Sequence, residues 1–301
     1  MGIQNKYRKK KICLIGVGKV GSALYHSMNS SGFDFKYAVD SNTGRLKRII
    51  SSNKKIIPAK KISKNILSES DIIIFAIQEK KLKDTIRECR QLNLDLSGKM
   101  VFHTSGIETS QLFGSLKINK KNAGSFHPLQ TFNTISYKNN NILINIYFGI
   151  EGGNNALKYL KEICRVLKSK YIIIPEDKKI LYHSACVTAS NFLVSHFSML
   201  SKITDGISLK NKSGIEIFKP IILTTLNNIF NQGIKESLTG PFERGDIGTI
   251  KLHLKYFKEN LPSVLYYYIL IGIETVKLSF KKKSITKSEA VEIEKLLLKY
   301  I

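Results

Sequence analysis

Cysteine is scarce in this sequence. Cys13, Cys89, Cys164 and Cys186 stand far apart among 301 residues, with no C-x-x-C pair and no metal-ligand spacing. That excludes a disulfide framework and a structural zinc site, leaves no metal expected, and fits free thiols in a reducing compartment. No apolar run approaches the roughly 20 residues that cross a bilayer, and the basic, polar start offers no apolar signal core. The expectation is a cytoplasmic protein with no membrane partner. Acidic residues are also few, 23 against 48 basic ones, for a net charge of +25. Within the basic set arginine is the rare member, with only seven, and the triplets Lys9 to Lys11 and Lys281 to Lys283 are isolated. Nucleic-acid readers rely on arginine forks and interleaved aromatics, so the lysine excess is taken as solvated surface and no nucleic-acid partner is expected. What remains of that charge can steer an anionic cofactor or substrate.

What is present begins at the N-terminal side. A short apolar run, Ile12-Cys13-Leu14-Ile15, leads directly into Gly16-Val17-Gly18-Lys19-Val20-Gly21, a G-x-G-x-x-G turn. The first glycine permits the tight turn, the second lets backbone approach a pyrophosphate, and the third lets the following helix pack on the strand. A phosphate then sits at the helix start, against free amides and the positive end of the dipole. The context is βαβ: the turn leads into a helical segment over 22–30 and a second apolar run over 35–39. Asp40 closes that run 19 positions after Gly21, near the spacing at which an acid binds the adenosine ribose. A purely structural glycine turn is the rival reading.

Residues 11 to 176 alternate short β-branched runs with amphipathic stretches, as in a parallel sheet with helices on both faces. Strands are expected at 11–15, 35–39, 71–77, 100–103 and 123–126, with 146–150 and 171–174 as candidates to extend the sheet. Residues 137–145 have the polarity of a mobile loop. Beyond Pro175 apolar residues recur at helical spacing with no convincing strand. The expected architecture is therefore α/β: an N-terminal doubly wound parallel Rossmann sheet over 1–176, then an all-α C-terminal domain over 177–301.

Ligands of open α/β sheets bind beyond the carboxyl ends of the strands. Ala76, Ile77 and Gln78 end one strand with uncharged residues suited to a cofactor lying across them. His103 and Ser105 end the next, and His127 the one after, so both histidines are expected to face a cleft, as donors to a carbonyl or as proton carriers. A satisfied structural histidine is the alternative at each. If residues 178–191 form one helix, Lys179, His183, Ser190 and Asn191 share a stripe, supplying donors to a carboxylate or carbonyl. Further on, Gly240-Pro241-Phe242-Glu243-Arg244-Gly245-Asp246 places Arg244 to clamp a carboxylate and Asp246 to orient Arg244 or His253. An internal ion pair fixing a helix start is its rival.

Taken in order, the glycine turn, His103 to Gly106 with His127 to Gln130, Phe148 to Gly152, Tyr182-His183 through Asn191, and Thr239-Gly240-Pro241 through Asp246 resemble the proteins that join a Rossmann-like domain to a DUF2520 domain. These resemble a branch of the 6-phosphogluconate dehydrogenase-like group, with pyrroline-5-carboxylate reductase and ketopantoate reductase. The resemblance implies an NAD(P)-dependent reductase of a small carboxylate substrate, whose helical domain closes the site and builds a homodimer. Some relatives are tied to pantothenate biosynthesis, so ketopantoate (2-dehydropantoate) is the most concrete substrate. A cyclic imine of the pyrroline-5-carboxylate type and a non-catalytic dinucleotide-binding regulator are the alternatives. In ketopantoate reductases a Lys and an Asn project from the first long helix of the second domain. His183 and Asn191 take comparable places here, and the proton donor stays open among His183, Lys179 and His127. Relatives tend to carry Ser-Arg-Ser after the second strand, where this chain has Ser41-Asn42-Thr43. Asp40 favours NAD if it points at the ribose, whereas Arg45 and Lys47 lie close enough to serve a 2′-phosphate. The expected cofactor is NADP, with NAD as the alternative.

Overall fold

A computed structural model of the chain describes residues 8–133, 142–207 and 213–301. The apolar runs become eight strands: β1 (Ile12–Ile15), β2 (Phe35–Val39), β3 (Ile57–Ala59), β4 (Ile72–Phe75), β5 (Met100–His103), β6 (Ala123–Pro128), β7 (Tyr147–Gly152) and β8 (Lys170–Ile173). Their order in the sheet is β3-β2-β1-β4-β5-β6-β7-β8. The first six are parallel and take the doubly wound order, so the direction of winding reverses between β1 and β4. The expected parallel sheet holds through β6, and the two strands that extend it add one reversal: β7 runs antiparallel to β6 and parallel to β8.

Every side chain of β1 and β4 is buried, which is why both appear in the sequence as unbroken apolar runs. Ile12 and Leu14 join one core layer with Leu24, Tyr25 and Met28 of α1 (Lys19–Ser30) and Ile49 of α2 (Thr43–Ser52). Cys13 and Ile15 join the other, with Ile66 and Leu67 of α3 (Lys64–Ser68) and Leu82, Ile86 and Cys89 of α4 (Glu79–Gln91). Tyr159, Leu160 and Ile163 of α5 (Asn154–Val166) extend the first layer. Of the loop expected over 137–145, residues 137–141 lie outside the described residues.

The first compact unit runs to Ser190, past the expected boundary at residue 176, and so includes α6 (Lys179–Val187). The second, Asn191–Ile301, holds α7 (Leu193–Asp205), α8 (Gly214–Gln232), α9 (Ile247–Asn260), α10 (Pro262–Lys282) and α11 (Lys287–Leu298). No strand occurs among its described residues. Its core joins Ile250 and Leu254 to Val264, Ile269 and Val276 and to Ile293 and Leu297. Contrary to the sequence expectation, α10 is long and apolar enough, by length and composition, to cross a membrane. Its buried stripe packs on α9 and α11 instead.

Candidate active site

Beyond the ends of β1 and β4 lies the glycine turn. Gly16 has φ +93°, and a Cβ there would come within 2.5 Å of the Ala76 carbonyl oxygen. A Cβ on Gly21 would come within 2.0 Å of the Gly16 carbonyl oxygen. Both glycines are therefore demanded by the protein's own packing. Gly18 differs: a Cβ there meets only the Arg45 guanidinium, at 3.9 Å. It is the N-cap of α1 and brings no side-chain oxygen to the first turn, whose amides are thereby left for an anion. Val17 is buried and Val20 half-buried, while Lys19 is exposed. This cradle fits a dinucleotide pyrophosphate.

Asp40 faces the turn rather than standing open to a ribose. Its two carboxylate oxygens accept from the amides of Val17, 2.9 Å, and Asn42, 2.8 Å. Its side chain is 8% exposed, and Arg45, 38% exposed, lies 3.6 Å away. Asn42 caps α2 by accepting from the Arg45 amide, and Ser41 is exposed. The acid that would have favoured NAD is thus occupied, and a part-exposed guanidinium stands beside Gly18, where a 2′-phosphate would find a partner.

At the next strand ends, Ala76 is buried, Ile77 half-buried, and Gln78 exposed as the N-cap of α4. His103 does not face a cleft as expected. It is 0% exposed. Its Nδ1 accepts from the Ser105 amide, and its Nε2 lies 3.1 Å from the Thr109 carbonyl, so it is a neutral strut of the loop after β5. Burial lowers its pKa to about 3. The Ser105 hydroxyl donates to Glu79 at 2.6 Å and accepts from the amides of Ile107 and Glu108.

The residues that converge are His127, His183 and Gly106. A side-chain carbon on Gly106 would lie 2.6 Å from His183 Nδ1 and 3.2 Å from His127 Nε2. His183 Nδ1 is buried with no hydrogen-bond partner. His127 Nδ1 lies 2.9 Å from the Tyr182 hydroxyl, which packs against Gly149. Burial raises the Tyr182 pKa, so the phenol keeps its proton. Where the Tyr182 phenol donates to His127 Nδ1, the imidazole carries its hydrogen on Nε2, the nitrogen beside Gly106. Burial first, then the charges of His183 and Lys179, lowers its pKa to about 4, which keeps the ring neutral.

Lys179 is 1% exposed. Its Nζ donates to Ser125 Oγ at 2.9 Å and to the Ser105 carbonyl at 3.3 Å. Burial lowers its pKa, and Glu151 leads the charges that resist the shift. Glu151, also buried, accepts from Ser125 Oγ, from Ser110 Oγ and from the Ser110 amide. Lys179 is thus enclosed, with its Nζ engaged by Ser125 and Ser105, unlike the unpartnered His183 Nδ1.

The stripe expected through residue 191 breaks. After Val187 the chain makes a π-helical turn over Thr188–Phe192, which shifts the register, and Asn191 is exposed at the start of the second unit. In that unit Asp246 is the N-cap of α9, accepting from the Thr249 amide and hydroxyl at 3.0 and 2.7 Å. It does not pair with Arg244, which is exposed and forms no ion pair among the described residues. Sequence reasoning missed Gly106, Tyr182, Ser125 and Glu151 as contributors. Three sit inside blocks already singled out, next to the histidines or in Phe148 to Gly152, whereas Ser125 carries no signal at all. A cavity of about 680 Å³ in the first unit has Ser110 and Glu151 in its wall, but neither the glycine turn nor the histidine pair.

Two families match consecutive parts of the chain. The one described as NADP oxidoreductase, coenzyme F420-dependent, matches residues 11–103, and the domain of unknown function DUF2520 matches residues 146–275. The chain joins an NADP oxidoreductase domain to a DUF2520 domain. The NADP oxidoreductase match takes in the glycine turn, Asp40 and Arg45, the residues that fit a dinucleotide. The DUF2520 match begins at β7, so it takes in the far edge of the sheet as well as helices of the second unit. Among solved structures, protein TM1727 from Thermotoga maritima is 21% identical, with 90% of this chain and 99% of that one covered at a TM-score of 0.70. Protein BF3122 from Bacteroides fragilis is 19% identical over 89% and 98%, TM-score 0.69. A 1-pyrroline-5-carboxylate reductase from Streptococcus pyogenes is 14% identical over 92% and 99%, TM-score 0.57. These likenesses establish the α/β fold. None of the curated proteins matches the sequence.

Proposed function

We propose that this NADP oxidoreductase reduces the carbonyl carbon of a small 2-keto acid to the alcohol, with 2-dehydropantoate the first keto acid to test. The observation that carries this reading is the convergence of His127 Nε2 and the unpartnered His183 Nδ1 over Gly106. NADPH, when bound, supplies the hydride that the carbonyl carbon takes. His127, neutral and locked by Tyr182, donates its Nε2 hydrogen to the substrate oxygen and stabilises charge that develops there. His127 is a poor proton reservoir, because an imidazole with a pKa of about 4 stays neutral near pH 7. The proton that completes the alcohol therefore comes from His183. Gly106 keeps the space between the rings open, and Gly16, Gly18, Gly21 and Arg45 hold the cofactor.

A cyclic imine of the pyrroline-5-carboxylate type is the second reading, favoured by the fold shared with the Streptococcus pyogenes reductase. The test measures NADPH oxidation against a panel holding both substrate kinds, after NADPH and NADH binding has been measured by nicotinamide fluorescence. His183→Ala should lower kcat on the accepted keto acid by roughly 10²-fold or more with NADPH affinity unchanged. Near-normal turnover in that variant would remove His183 as donor, and turnover of imines alone would favour the second reading. Binding without turnover of any member would leave a dinucleotide-binding regulator.

The homodimer is part of the same proposal. No residue of α8 is buried, Ile221 and Phe230 are 62% and 81% exposed, and Glu216 and Lys219 are its only charges. In a chain of net charge +25, a nearly uncharged apolar helix is where a second copy can approach without repulsion.

A further inference from the structure

Lys179, Ser125 and Glu151 are buried together, and the reductase reading above leaves all three without a task. We propose that Lys179 is a positioning residue: charge-balanced by Glu151 through Ser125, it clamps the Ser105 carbonyl and so makes the Gly106 amide a further donor to the substrate oxygen. The inference rests on the proposed site, since it adds a third donor beside the two histidines.

The chain of contacts is continuous. Lys179 Nζ donates to Ser125 Oγ, 2.9 Å, and Ser125 Oγ in turn donates to Glu151 Oε2, 3.1 Å. The hydroxyl thus carries the influence of a buried carboxylate to a buried ammonium without direct contact. Such a pair is retained inside a protein only when its hydrogen bonds are met. Ser110 adds two further bonds to Glu151, one to each oxygen, which fixes the carboxylate in place. The second contact of Nζ, to the Ser105 carbonyl at 3.3 Å, engages the peptide that ends at Gly106. No cis peptide bond occurs among the described residues, so the Gly106 N–H points opposite to that carbonyl, away from Lys179. It donates to no protein group among the described residues. A cation on the carbonyl polarises the amide and strengthens its N–H as a donor. Gly106 is also the residue over which both histidine nitrogens stand. A lysine merely filling the core would need neither the polarised peptide nor a free amide at the site.

The groups around Lys179 that set its ionisation are Glu151 on β7, Glu79 on α4, Glu108 in the loop after β5 and Cys186 on α6, which favour the cation, and His103 and His127, whose charged forms oppose it. The test is an NMR titration of the whole protein. The ¹³Cε resonance of Lys179, assigned by its disappearance in Lys179→Met, and the amide resonance of Gly106 are recorded together from pH 6 to 11. In the wild type both should move with one midpoint. Glu151→Gln should lower that midpoint by a pH unit or more, and Ser125→Ala, which leaves the Ser110 contacts intact, should lower it by less. A Gly106 amide that ignores Lys179 ionisation would overturn the proposal, as would an unchanged Lys179 midpoint in both folded variants. NADPH titration of the same samples keeps the two readings apart: no binding by the wild type defeats the reductase reading, whereas the Lys179 and Gly106 coupling is read independently of it.

Discussion

Gly18 and Gly21 belong to one motif, yet the structure asks different things of them. Alanine at Gly21 drives a Cβ into the Gly16 carbonyl, an overpacking that should cost about 1–3 kcal/mol or more in chemical denaturation. Alanine at Gly18 meets only the Arg45 guanidinium, at an unstrained 3.9 Å. That variant should melt like the wild type and lose NADPH affinity by about tenfold or more, equivalent to about 1.4 kcal/mol. Equal loss of stability in both would mean that Gly18 is structural. His103 supplies a second single-residue prediction. Its folded pKa of about 3 lies below the ordinary 6.5, so between those values the unfolded chain binds a proton that the native one refuses. Its stabilisation is complete above pH 6.5 and is lost as pH falls toward 3, with a slope of at most about 1.4 kcal/mol per pH unit. Urea denaturation at a series of pH values should show a shallower acid decline for His103→Gln than for the wild type. The two histidines at successive strand ends were equivalent in the sequence. Only their surroundings separate the strut from the proposed donor, because burial and hydrogen-bond partners assign an imidazole its role.

Elements were legible where their pattern was long. The parallel strands stood out because both faces are buried and the apolar runs are unbroken. β3 escaped notice for the opposite reason: three residues, with Pro58 at its centre and largely exposed, sit at the sheet edge where proline is tolerated. The antiparallel direction of β7 was equally hidden, since a strand's composition does not record its polarity. In α6 the 3.6-residue rule placed Lys179 and His183 on one stripe, and both reach the loop after β5, at Ser105 and Gly106. It failed beyond Thr188, where the wider π-helical turn rotates the residues after it. The Gly240 to Asp246 block drew attention for catalysis, whereas Asp246 caps α9. Asp246→Ala should destabilise the protein by about 1 kcal/mol, measurable by thermal melting. A loss of activity without loss of stability would return Asp246 to the functional residues.

For the whole molecule, the exposed apolar face of α8 is the feature that composition conceals, because 43% hydrophobic content is ordinary. If α8 joins two copies, sedimentation equilibrium should give twice the chain mass, and the double variant Ile221→Glu, Phe230→Lys should sediment as a monomer that still binds NADPH. A wild type that is monomeric at micromolar concentration would overturn the dimer.

By itself the sequence determined the class of fold, the glycine turn and the positions of the strand ends, because these depend on local spacing: period two or unbroken burial for strands, 3.6 for helices, and glycine wherever a Cβ cannot fit. Tertiary structure alone decided which of the polar residues stand together. His127 and His183 are 56 positions apart, and Ser125 and Lys179 are 54 apart. Their protonation, burial and partners are properties of the packed neighbourhood, which no stretch of chain carries alone.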